Sequence, residues 1–99
     1  MKIDFNKNED VLNISLDGRL DTITAPELEE FLKSNLAGVT SVIIDCEKLE
    51  YVSSAGLRVL LALNKKNKNC LSLVNVQELV MEVLEVTGFV NILEIKWWN

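Results

Sequence analysis

Leu49-Glu50-Tyr51-Val52-Ser53-Ser54-Ala55-Gly56-Leu57-Arg58-Val59-Leu60-Leu61 is the stretch that decides the fold. Upstream of it, residues 42–46 (Val-Ile-Ile-Asp-Cys) form a short apolar run rich in β-branched side chains. Such a run suits a strand buried on both faces, as in a parallel sheet. Downstream, Leu57, Leu60, Leu61 and Asn64 recur at helical spacing, which predicts a helix over about residues 54–67. Between the two sit two hydroxyls, a small residue and a glycine, so the stretch reads as strand, tight turn and helix start.

The turn is where chemistry is expected. Serine is a favoured N-cap because its side-chain oxygen accepts from an orphan N–H of the first helical turn. Ser53 or Ser54 can fill that place. Ala55 and Gly56 are small, which leaves room for a partner to approach the backbone. The helix N-terminus carries roughly half a positive charge and unpaired N–H groups, so a phosphoryl group on Ser54 would land where an anion is tolerated. The plainer reading is a structural cap, and local physics alone does not separate the two.

Working outward, residues 2–6 and 11–18 both alternate polar and apolar, with Leu12, Ile14 and Leu16 facing one way. They read as a hairpin about a turn at residues 7–10. Residues 18–21 (Gly-Arg-Leu-Asp) read as a loop. Thr24-Ala25-Pro26-Glu27 is a strong helix start: threonine as N-cap, proline in the first turn and glutamate closing a capping box. Leu28, Phe31, Leu32 and Leu36 continue it at helical spacing, and Gly38 is the stop. Residues 70–76 read as another strand. Residues 77–87 read as a third helix, ended by Gly88, and residues 90–95 as a last strand or extended segment. Strands alternating with helices predict an α/β layer on a parallel or mixed sheet.

Composition narrows the function classes. Ninety-nine residues, about half of them apolar, suit one domain over residues 1–99 with a modest core. No apolar run approaches the ~20 residues of a membrane span, and no secretory signal pattern opens the chain. A cytoplasmic protein without membrane contact is expected. Net charge is −5, with Lys65-Lys66-Asn67-Lys68 the only basic run, and that run reads as a solvated helix end. Direct nucleic-acid binding is not expected, since phosphate contacts supply most of that affinity; a basic protein partner suits the charge better. There is no histidine, which removes Ser-His-Asp and Cys-His catalysis together. Cys46 and Cys70 stand singly in apolar runs and read as small buried hydrophobes, not as a disulfide or zinc site. No phosphate-binding glycine loop or metal-ligand cluster appears, so neither cofactor nor enzymatic activity is expected.

Several single residues carry two readings. Asp21 is a loop carboxylate before a helix start; it either orients a hydroxyl at the Ser54 turn or is a solvated cap. Asp45, inside an apolar run, suits a structural role at a strand boundary. Arg58, one turn into the helix, can bind phosphate or a partner carboxylate, but the ordinary reading is an exposed arginine. Trp97 and Trp98 suit either an interaction hot spot or cover for the core, and Phe89 reads as core.

Gly18-Arg19-Leu20-Asp21, Thr24-Ala25-Pro26-Glu27-Leu28, Tyr51-Val52-Ser53-Ser54-Ala55-Gly56-Leu57 and Val86-Thr87-Gly88-Phe89 together resemble the STAS domain of anti-sigma factor antagonists. The matches run in the same order over nearly the whole chain. The resemblance implies a mixed sheet of four or five strands with about three to four helices packed mainly on one side. It implies an antagonist that binds an anti-sigma factor serine kinase and releases the sigma factor. Phosphorylation of a serine at the start of the second helix switches it off, and a PP2C-type phosphatase restores it. Ser54 takes the acceptor position, with Ser53 the alternative. Ser53 stands where many members have aspartate, and Ala55 where some have a second hydroxyl. Asp21, Thr22, Thr24, Ser53, Ser54, Ala55, Gly56 and Arg58 are the implied partner-contacting set, on a monomer or weak dimer. The competing expectation is a STAS-type interaction module in another partner-switching or scaffold complex, without phosphorylation.

Overall fold

The structure, a computed structural model, describes residues 1–66 and 70–95. Trp97, Trp98, Asn67 and Lys68 lie outside the described residues. The elements in order are β1 (Lys2–Asn8), β2 (Val11–Leu20), α1 (Ala25–Asn35), β3 (Ser41–Val52), α2 (Ser54–Lys66), β4 (Leu71–Val74), α3 (Glu78–Val86), a 3-10 turn (Phe89–Asn91) and β5 (Glu94–Ile95). The strands form one five-stranded sheet in the order β1-β2-β3-β4-β5. The first pair is antiparallel and the others are parallel. This is the mixed sheet expected.

Leu12, Ile14 and Leu16 of β2 and Val42, Ile44 and Cys46 of β3 are all buried. They meet Leu28 and Leu32 of α1, Leu57, Leu60 and Leu63 of α2, and Val80 and Leu84 of α3 in a single core. The alternating residues Asn13, Ser15, Ile43 and Asp45 are only half-buried. The strand at residues 42–46 is therefore covered on one face, not on both as expected. Helices lie on that one face, and the other meets water, which an antiparallel-edged sheet tolerates.

Further expectations are corrected. β2 and β3 both run on through segments expected to be loop or turn, to Leu20 and Val52. The cause is two irregularities in their pairing, between Ser15/Asp17 and Gly18/Arg19 of β2, each opposite an extra residue in β3. Every such bulge adds one residue and breaks the two-residue alternation. That lets Leu49 and Val52, three residues apart, both face the core. At the first bulge the Asp45 carboxylate accepts from the Glu47 N–H (3.0 Å) and from the Asn75 side chain (3.2 Å), a structural role.

In α2 the buried stripe is Leu57, Leu60, Leu63 and Asn64; Leu61 is half-exposed and Leu63 takes its place. The strand expected at residues 70–76 is only Leu71–Val74, because Asn75 turns the chain at φ 54°. The strand expected at residues 90–95 shrinks to Glu94–Ile95. Gly88, at φ 80°, turns the chain into the 3-10 segment, where Ile92 and Leu93 donate back to the Phe89 carbonyl. Phe89 itself packs only partly against the core.

Both cysteines are buried, as expected of small hydrophobes. Burial, with the Asp45 charge adding to it, pushes the Cys46 thiol up to about 12.

Candidate functional site

The site forms where β2 and β3 end side by side. Leu20 pairs with Val52, and the Ser53 N–H donates to the Leu20 carbonyl at 2.8 Å. That bond fixes the turn between β3 and α2 to the end of β2. Ser53 then acts as the cap of α2. Its carbonyl accepts from the Leu57 N–H (2.9 Å), and its hydroxyl oxygen accepts from the Gly56 N–H (3.4 Å). Ser54 is the first helical residue and is exposed. No hydrogen bond of its hydroxyl is present among the described residues. The resemblance puts Ser54 at the acceptor position with Ser53 as the alternative; in the structure Ser53 holds the turn and Ser54 faces solvent.

The small residues divide differently from the expectation. Ala55 is half-buried against the core. Gly56 is buried, and a Cβ placed on it would lie 2.7 Å from Leu20 Cγ and 3.0 Å from the Leu20 carbonyl oxygen. Its smallness serves contact between α2 and β2 inside the fold, not approach by a partner, so Gly56 leaves the outward-facing set.

The loop after β2 is built around Asp21. Its carboxylate oxygen Oδ1 accepts from the N–H groups of Ile23 (3.0 Å) and Thr24 (3.1 Å), while its carbonyl accepts from the Ala25 N–H (2.8 Å). Thr24 precedes α1 but is already helical, at φ −92° and ψ −20°, and makes no side-chain cap. Its hydroxyl donates backward to the Arg19 carbonyl at 2.6 Å and accepts from the Asp21 N–H at 2.8 Å. The expected capping box of Thr24 and Glu27 is thus replaced by an aspartate-centred turn. The residue that reaches the orphan amides first, Asp21, takes the capping work. Thr22 and Ile23 at the tip are exposed, Ile23 by 82%.

The Thr24 amide, above all, holds the Asp21 carboxyl below its ordinary value. Desolvation works against it, and the Ile23 amide, the Thr24 hydroxyl and the Arg19 charge help. A carboxyl depressed in the folded state adds stability above its unfolded pKa, and that stability is lost as pH falls through the folded value. Asp21→Asn should therefore lower the melting temperature near neutral pH. The gap from wild type should close as pH drops below about 4, as thermal melts at a series of pH values would read.

Arg19 and Tyr51, cross-strand partners, were not singled out by sequence reasoning. The Arg19 guanidinium lies 4.4 Å from the Tyr51 ring centre, and its Nε is 3.9 Å from Asp21 Oδ2. Arg19 so ties β3 to the Asp21 loop through stacking more than through the exposed ion pair, which is worth little. Arg58 is exposed, one turn beyond Ser54. The first turn of α2 holds no acidic residue, and Lys65 and Lys66 lie at its far end. The helix terminus beneath Ser54 thus keeps its positive field. Among the described residues no group of three or more His, Cys, Asp or Glu could hold a metal ion. No helix among them is long and apolar enough to cross a membrane.

An exposed hydroxyl on a capped helix start can accept a phosphoryl group or be covered by a partner. The family model described as STAS domain matches residues 2–97. The Bordetella bronchiseptica protein BtrV is 34% identical over 96 residues, covering 93% of this chain and 83% of that one. The anti-sigma-B factor antagonist of Staphylococcus epidermidis is 29% identical over 101 residues, covering 97% and 93%. In fold, the chain matches the crystal structure of tm1081 from Thermotoga maritima with a TM-score of 0.87 at 19% identity, covering 95% of this chain and 85% of that one. It matches phosphorylated Bacillus SpoIIAA with a TM-score of 0.72 at 17% identity, covering 95% and 90%. The chain belongs to the STAS domain family.

Proposed function

We propose that this protein is an anti-sigma factor antagonist that works as a binding module, not as an enzyme. In its unmodified form it binds an anti-sigma factor through the surface around Ser54, and the sigma factor is released. That anti-sigma factor is a serine kinase, which transfers the γ-phosphoryl group of ATP to the Ser54 hydroxyl and so ends the complex. A PP2C-type phosphatase hydrolyses the phosphoserine and returns the protein to its binding form. The circuit runs in the cytoplasm.

One observation carries this reading: Ser54 is exposed at the start of α2, its hydroxyl without a hydrogen bond among the described residues, while Ser53 beside it is spent on the cap. The Asp21 loop follows Leu20, whose carbonyl accepts from the Ser53 N–H next to Ser54. Incubation with ATP and the serine kinases of the same genome, followed by peptide mass mapping, tests the assignment. A gain of one phosphate on the peptide holding Ser53 and Ser54 is expected, lost in Ser54→Ala and kept in Ser53→Ala. A stable partner indifferent to ATP, with no mass gain, overturns the phosphorylation reading and leaves an unmodified docking module.

A further inference from the structure

The two edges of the sheet differ. β5 is two residues long and offers almost no ladder. β1 has seven residues, pairs on one side only among the described residues and is exposed over nearly its whole length. A strand edge of that length with open N–H and C=O groups is a template for another strand unless something blunts it.

Which groups are open follows from the hairpin. Glu9 and Asp10 form a two-residue loop, so the closing pair Asn8–Val11 exchanges its backbone hydrogen bonds. By alternation Asn6, Asp4 and Lys2 also bond to β2. The N–H and C=O groups of Ile3, Phe5 and Lys7 therefore point away from the sheet. The side chains of Ile3 and Phe5 lie on the helix-covered face, opposite Leu16 and Ile14. Phe5 stacks edge-on against Phe31 of α1 at 4.9 Å yet stays 55% exposed. The Lys7 amine donates to the Ala37 carbonyl at 2.8 Å, which draws its charge back over its own helix layer.

We propose that β1 pairs antiparallel with β1 of a second copy of this chain about a twofold axis at Phe5, joining the two sheets. In that register Phe5 faces Phe5, and Ile3 faces Lys7 from each side. All three outward-pointing residues exchange backbone hydrogen bonds, as an isologous contact requires. On the other face Asp4 meets Asn6 and Lys2 meets Asn8, so no like charges oppose. Shifting the register toward residue 4 sets Asp4 against Asp4, which is unfavourable across strands. Shifting it toward residue 6 sets Ile3 against Glu9, which sits in the turn at φ 58°. Of the registers centred on residues 4, 5 and 6, the one at Phe5 satisfies both the backbone and the charges. The seam runs along the sheet edge, two strands from β3, and leaves Ser54 outside it.

The interface is small, so association is weak. Sedimentation equilibrium of the wild-type chain from about 10 μM to about 1 mM, a range suited to small interfaces, should show the mass rising from one chain toward two. Amide exchange over the same range should show concentration-dependent protection at Ile3, Phe5 and Lys7, and none gained at Asp4 or Asn6. Phe5→Cys should form a disulfide-linked dimer in mild oxidant much faster than Asn6→Cys, since a residue facing itself across antiparallel strands lies within disulfide reach. A monomer throughout, or association with protection elsewhere, overturns the proposal. The wild-type exchange data decide the matter even where Phe5→Cys unfolds.

Discussion

Phosphorylation of Ser54 should raise the melting temperature slightly while lowering affinity for the anti-sigma factor at least a hundredfold. The two effects have opposite signs because they act through different neighbours. Within the fold, the phosphate adds about −1.5 to −2 of charge at a helix start whose first turn holds no acidic residue. The dipole and open amides there favour an anion by about 0.3–1 kcal/mol. For a domain of this size, at about 4–8 °C per kcal/mol, that is a rise of about 1–8 °C. Across an interface, the same group must be stripped of water with no partner built for it. An uncompensated buried charge costs about 3–5 kcal/mol, which is more than two decades in Kd. Calorimetric titration of the partner with unmodified and phosphorylated protein, beside thermal melts of each, reads both. Ser54→Ala should bind as wild type and resist the switch. A phosphoprotein that loses binding and also melts several degrees lower would mean that the switch works by unfolding the turn, not by blocking the surface.

The sequence carried the element types and most of the core, because β2 alternates and α1 and α3 repeat at helical spacing without interruption. It did not carry the ends of β2 and β3. There the bulges break alternation, and a segment such as Gly18-Arg19-Leu20, read locally, has the composition of a loop. Only the pairing of Gly18 with Leu49 and of Leu20 with Val52 makes it a strand. Likewise, Thr24 has every local mark of an N-cap, and nothing in the chain order says that its hydroxyl is taken by the Arg19 carbonyl five residues back. At the site, the family resemblance ranked Ser54 above Ser53, but the local residues did not say which serine caps the helix, since that depends on Leu20 holding the Ser53 backbone in place. Arg19 and Tyr51 were invisible for the same reason: thirty-two positions apart, they become neighbours only through strand register.

Gly56→Ala should destabilise the protein by about 1–3 kcal/mol, the cost of forcing atoms into a packed site, although alanine in place of a helical glycine normally gains about 1 kcal/mol. The sign reverses because the added carbon would sit 2.7 Å from Leu20 Cγ, 3.0 Å from Leu20 Cδ2 and 3.0 Å from the Leu20 carbonyl oxygen. A leucine side chain can turn aside, but the carbonyl cannot. It is already committed to the Ser53 N–H at 2.8 Å, a bond that ties the start of α2 to β2. The helix must lift instead, and Ser54 moves with it. Equilibrium denaturation should show the loss, and a double-mutant cycle with Leu20→Ala should show where it comes from. Leu20→Ala alone is costly, about 2–5 kcal/mol for a buried leucine. In its background Gly56→Ala should cost less by 0.5 kcal/mol or more, the range for residues in contact, because only the carbonyl clash remains. If Gly56→Ala is neutral or stabilising, α2 does not approach β2 this closely, and the placement of the Ser54 hydroxyl at the strand ends loses its physical basis.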